Sequence, residues 1–302
     1  MRIPMTPLLA NLLCLGSMLV WAMGLPAAEY LIGPIPALPL TAMRMSIAAA
    51  VLLPVWLLIE GPARLRAAPW RRGLVLGGLS FGLSGVLLVM AQAATDPVTV
   101  AVISSAMPVI GIAIECTADG RRLTLPLTLG LALSVAGGIV SLGGTLGAVD
   151  LGFGAFCAAA SILAYTLGSR FSVTALPGLS AWGRTTVTLA GAGLATGIGA
   201  GISALTGGPA VQWAAIGPTE VAALAVFSIC GMALCQILWI ASVSHLGIGF
   251  AALHMNAAPF YVMLFLSLLG QPWNWVQALG AAIVGTGVLI AQHRPALARS
   301  PS

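Results

Sequence analysis

Ten uninterrupted apolar runs, each of roughly 17 to 25 residues and joined by short links, constrain this chain more than any other feature. They fall near Leu8–Leu31, Leu38–Ile59, Gly73–Met90, Val98–Cys116 and Leu125–Leu142, then near Leu151–Phe171, Leu179–Leu205, Glu220–Val243, Leu246–Leu269 and Val276–Ala291. Runs of that length are bilayer-spanning segments, and lipid offers the backbone no hydrogen bonds, so each must be a helix or part of a closed barrel. The alternating pattern of barrel strands is absent, which leaves helices. Charged residues make up only 6% of the chain, and the expected fold class is an all-α integral membrane protein of ten transmembrane helices.

The formal charge of +5 comes from arginine alone, without any lysine. The arginines do not cluster with exposed aromatics, so no nucleic-acid partner is expected. With the amino terminus inside, Arg2, Arg64, Arg66, Arg71, Arg72, Arg121, Arg122, Arg170, Arg294 and Arg299 all fall on the cytoplasmic side. Asp96, Asp150 and Glu220 fall in outer links. Both termini are therefore placed in the cytoplasm. The five cysteines form no C-x-x-C pair, and His245, His254 and His293 lack metal-ligand spacing, so neither a metal nor a cofactor is expected.

Pro108 and Pro259 align the fourth and fifth runs with the ninth and tenth. Gly120, Gly130 and Gly137 then match Gly270, Gly280 and Gly287, while Trp21 can be set against Tyr165 and Arg44 against Arg184. Five helices per half turn the second copy upside down, so the reading is two inverted repeats, residues 1–145 and 146–302. Two such copies can exchange conformations about a shared central site, the geometric basis of alternating access.

These residues resemble the EamA-type ten-helix carriers of the drug/metabolite transporter superfamily. The resemblance rests on Trp21, Arg44, Ser104-Ser105-x-x-Pro108, Gly120 to Leu123, Leu129-Gly130 through Gly137-Gly138, Asn256-x-x-Pro259 and Leu279-Gly280 through Gly287. It implies transport of a small metabolite such as an amino acid or amine, commonly export, through a cavity between the halves of a bacterial cytoplasmic membrane protein. The chain departs from many relatives at Trp21-Ala22 and at Glu29, where they resemble a tryptophan-glycine pair and a lysine. Glu29 thus reverses a charge.

Intramembrane ionisable groups are the first functional candidates. Glu29 is expected either to bind a cationic substrate group or coupling proton, or to form an ion pair with Arg44. His254 and Asn256 are candidates to contact substrate, with His254 able to respond to protons. Pro108 and Pro259 remove amide donors and free carbonyls near Ser104 and Met255, which marks both prolines as helix-break or gating candidates. Ser104 can face substrate there or repair the broken helix. Trp21, Tyr165 and Trp239 lie well inside their runs, where they either line an aromatic cavity wall or pack. Trp70, Trp213, Trp273 and Trp275 read as interface anchors. Gly78, Gly82, Gly193, Gly197 and Gly201 are expected at close helix contacts.

Three other classes compete. Gly82-Leu83-Ser84-Gly85 has the G-x-S-G pattern of intramembrane serine proteases, with His254 as the imaginable base; the inverted repeat speaks against an enzyme. A channel would need a continuous polar stripe or charged ring. A flippase for a lipid-linked substrate would need a lateral opening. The expected partners are a small-molecule substrate, membrane lipid and a coupling proton, in a monomer or homodimer.

Overall fold

The structure, a computed structural model, describes residues 5–120, 122–142 and 151–292. Arg2, Arg121, Asp150, His293, Arg294 and Arg299, and the boundary between residues 145 and 146, lie outside the described residues. Every regular element within them is helical, with no strand. In chain order the helices are α1 (Pro7–Ile32), α2 (Ala37–Ala67), α3 (Trp70–Ala94), α4 (Pro97–Asp119), α5 (Leu125–Leu142), α6 (Gly152–Thr174), α7 (Ala181–Leu205), α8 (Pro218–Leu246), α9 (Ile248–Leu268) and α10 (Trp275–Gln292). Eight of them are long and apolar enough to cross a bilayer; α5 and α10 are shorter, at 18 residues each, and pack along one another. Leu58, Leu79, Leu205 and Leu268 stand on the outside of the bundle. In water such a surface would associate, whereas in lipid it is the solvated face. The protein is an integral membrane protein.

Local chemistry sets several helix starts. The Asp96 carboxylate caps α4, with Oδ1 accepting from the amides of Val98 and Thr99 at 2.9 Å each, and Thr99 donates its hydroxyl to Oδ2. Pro97 fills the first helical position, where a missing amide costs nothing. Ser180 caps α7 through the amide of Gly183, and Glu220 reaches back to the amide of Gly217 ahead of α8. Gly120 and Gly270, paired by the sequence, both take positive φ, +65° and +92°, beyond the ends of α4 and α9. Helix α2 contains a break at Gly61, whose φ is +80°.

The helices carry paired irregularities. Helix α3 widens to a π-helix over Gly77–Gly82 and α8 over Val226–Leu234. Helix α4 is interrupted between Ser104 and Met107, with Pro108 in the first turn of the next segment; α9 passes through a tight 3-10 stretch, Leu253–Ala257, before Pro259. Contacts pair as well. Four residues before Trp21, Ser17 donates to the Cys235 carbonyl at 3.0 Å; four residues before Tyr165, Ser161 donates to the Ser84 carbonyl at 2.8 Å. Three residues after the same aromatics, Gly24 lies against Gly231 and Gly168 against Ser80.

Close approach is concentrated where α3 crosses α7, but not at every glycine that the spacing picks out. Gly78 meets Ala195, Gly82 meets Thr196 and Gly193 meets Ser46, whereas Gly197 and Gly201 face open space. The tightest positions at this crossing are Gly77 against the Thr188 backbone and Gly191 against the Leu74 backbone. A four-residue period places glycines on one helix face. Only the crossing point decides which of them meets a neighbour.

Candidate functional site

Seven helices, α1, α2, α3, α4, α6, α8 and α9, surround a narrow cavity of about 40 Å3. Both halves of the chain supply walls. Trp21, Phe81 and Tyr165 give aromatic faces, and four methionines (Met45, Met107, Met232 and Met255) give polarisable, adaptable ones. Ser84, Ser104, Ser161, Gln236 and Arg44 are its polar groups. This combination, mostly apolar with a few placed polar atoms, is that of a small-molecule site.

Arg44 is buried, at 2% exposure, and projects from α2 toward the π-helical turn of α8. A π-turn spaces its carbonyls off the regular ladder, and two of them receive the guanidinium: Nε donates to Phe227 O at 3.2 Å and Nη2 to Gly231 O at 2.8 Å. The Phe227 ring covers one guanidinium face, 3.8 Å from Cζ to centroid. Opposite, Tyr165 donates to Gln236 Oε1 at 2.6 Å, and its ring packs edge-on against Phe81. The Ser84 and Ser161 hydroxyls meet at 3.0 Å.

The candidates from the sequence separate into two groups. Trp21, Ser104 and Tyr165 line the cavity, and so does Met255, the residue one turn before Pro259. Trp239, His254 and Asn256 do not line it. Trp239 is fully buried behind Tyr165, its indole N–H donating to Ser169 Oγ at 2.9 Å. The His254 imidazole lies 3.3 Å from the carbonyls of Phe250 and Ala251 in its own helix, and Asn256 is buried in the same tight turn.

Glu29 and Arg44 form no ion pair among the described residues. Glu29 is exposed on α1, while the Phe227 and Gly231 carbonyls hold Arg44 inward. Glu29→Gln is accordingly expected to leave ligand binding to the purified protein unchanged, measured by thermal stabilisation; a lost response would return Glu29 to the site. Nor does Ser84 meet His254: its hydroxyl is engaged by Ser161, and the described residues contain no Ser–His hydrogen bond for nucleophile activation.

Sequence reasoning missed Gln236 and Ser161 as cavity residues, and it gave Arg44 a place in the repeat and in the family resemblance but no site role except as the partner of Glu29. It also passed over two contacts between the halves. Glu115 accepts from the Gly249 amide at 2.7 Å, and Asp119 receives both Nη groups of Arg170 at 2.6 and 2.7 Å, joining the ends of α4 and α6. An acidic residue at a helix end facing an unpaired arginine on another helix was the available signal.

Known proteins agree with this architecture. Residues 8–143 match the EamA-like transporter family. A crystal structure described only as that of a protein superposes with a TM-score of 0.76 at 21% sequence identity, over 95% of this chain and 98% of that one, which shows a shared fold. No curated protein matches the sequence.

Proposed function

We propose, from the premise that residues 8–143 are EamA-like transporter sequence, that the protein carries a small metabolite across the bacterial cytoplasmic membrane by alternating access, in the direction of export. The observation that carries this reading is the cavity itself, walled by side chains from both halves and placed beside the breaks in α4 and α9. Together with α5 and α10 the eight long apolar helices make ten spans with both termini cytoplasmic. The two groups of five are inverted repeats. The paired π-turns, the paired proline breaks and the matched Ser17–Cys235 and Ser161–Ser84 contacts support that relation. Rocking of one group against the other then opens the cavity to each side in turn.

Cysteine accessibility tests the mechanism. In a variant freed of its five cysteines, Ser104→Cys and Met255→Cys are expected to react with a membrane-impermeant maleimide from either face of oriented vesicles, with substrate shifting the ratio. Labelling from one face alone under every condition sinks alternating access.

A groove between the lipid-facing sides of α3 and α6 favours a second reading. Leu79, Leu83, Leu163 and Leu167 line it, and Arg71 and Arg72 sit at one end, where a lipid-linked anion would place its head. A flippase would move a fluorescent lipid phosphate between leaflets of reconstituted vesicles. A metabolite carrier would leave it in place.

A further inference from the structure

We infer that the cavity recognises the carboxylate of its substrate, with Arg44 as the anchor and Gln236 as a second donor; this rests on the carrier reading above. The argument begins with charge. Arg44 is buried and stays cationic, since a guanidinium does not give up its proton in a protein. Yet among the described residues no carboxylate lines the cavity and no acidic group lies within ion-pair distance of Arg44. A buried charge without a counter-charge is costly, and carbonyl dipoles and one aromatic face offset it only in part.

Hydrogen-bond accounting points the same way. Of the five guanidinium N–H groups, Nε uses one and Nη2 one, so both hydrogens on Nη1 and one on Nη2 have no acceptor among the described residues. Gln236 is fully buried; Tyr165 occupies its Oε1, and its Nε2 has no acceptor among the described residues either. Both side chains line the one cavity, and both lack acceptors rather than donors. An ammonium group brings only donors and would repel Arg44. A carboxylate brings only acceptors and matches the planar guanidinium fork with two parallel bonds. The methionine and aromatic walls then suit an apolar body on the same molecule.

The test measures thermal stabilisation of the purified protein by matched pairs: phenylacetate against phenylacetamide, and L-leucine against L-leucinamide, with 2-phenylethylamine as the cationic control. At least one acid is expected to bind about tenfold tighter or more than its amide, as loss of a charge-assisted bond predicts. Arg44→Gln is expected to abolish that preference and Arg44→Lys to retain part of it. The inference is overturned if neither acid stabilises the protein, if amides or the amine bind as well as the acids, or if folded Arg44→Gln binds acids like wild type. It is likewise overturned if sodium chloride alone gives the full Arg44-dependent response, which would make the ligand an inorganic anion. Should Arg44→Gln fail to fold, the acid-to-amide ratio of the wild type decides. Counterflow in vesicles separates the two readings. Acid binding without movement sinks the carrier and keeps the carboxylate site, whereas movement of amides and amines alone keeps the carrier and sinks the site.

Discussion

Gly77→Ala is expected to lose most of the folded protein, the largest effect of any single methyl group added to this bundle. A β-carbon on Gly77 would lie 1.8 Å from the Thr188 carbonyl oxygen and 2.6 Å from its carbon. On the facing helix, a β-carbon on Gly191 would lie 2.2 Å from the Leu74 carbonyl oxygen. Helices α3 and α7 therefore touch backbone to backbone, and neither wall is a side chain that can rotate away. Relief requires the two helices to part, which also unseats Gly73 from Val187 and Gly78 from Ala195. Overpacking usually costs about 1–3 kcal/mol, and a clash with fixed backbone belongs at or above the upper end. Thermal unfolding in detergent and the yield of monodisperse protein read the loss. Gly201→Ala is the control, because that position faces open space and alanine favours helix. Equal melting temperatures for the two variants would refute the close crossing.

Trp239→Ala is expected to act through stability rather than through substrate contact. The indole is fully buried, donates to Ser169, and backs Tyr165 at 6.0 Å between ring centroids. Deleting a buried tryptophan costs about 3–5 kcal/mol in soluble cores. Lipid supplies no hydrophobic drive between helices, so the loss here is mainly of packing and falls toward the lower end of that range. Tyr165, released from behind, would also loosen its bond to Gln236. Tyr165→Phe is the contrasting variant: it keeps the ring and removes one hydrogen bond, a change of about 1 kcal/mol. A Trp239→Ala protein that melts like wild type but loses ligand binding would place the indole in the cavity after all.

Apolar run length carried most of the architecture, since a helix that must satisfy its own backbone in lipid leaves a long, unbroken signature. The prolines were legible for a similar reason. Each breaks a pattern at a position that chemistry dictates, and the residues one turn earlier, Ser104 and Met255, both stand at the cavity. Helix rotation was not legible. Trp21 and Trp239 look alike as mid-helix tryptophans, yet one faces the cavity and the other packs behind it. Hydropathy cannot distinguish two buried faces when lipid, protein and cavity walls are all apolar. Arg44 was misjudged because its acceptors are main-chain carbonyls in a π-turn, and no residue type announces a π-turn. An acidic residue close in sequence looked like the natural partner; geometry supplied two oxygens from α8 instead.

The clasp between Asp119 and Arg170 breaks the symmetry that the proposed inverted repeat would have. In the repeat alignment the corresponding positions are Leu269 and Pro26, neither of which can form such a bond. Two inverted halves that were identical would have two end states of equal energy, and the carrier would rest in both alike. In the proposed orientation the clasp lies at the cytoplasmic ends alone and lifts that degeneracy toward the state closed on that side. Because the pair is solvent-exposed, the tilt is a few-fold at most and shrinks as ionic strength rises. On the proposed carrier reading, the resting orientation is thus a property that salt on one side of the membrane can adjust.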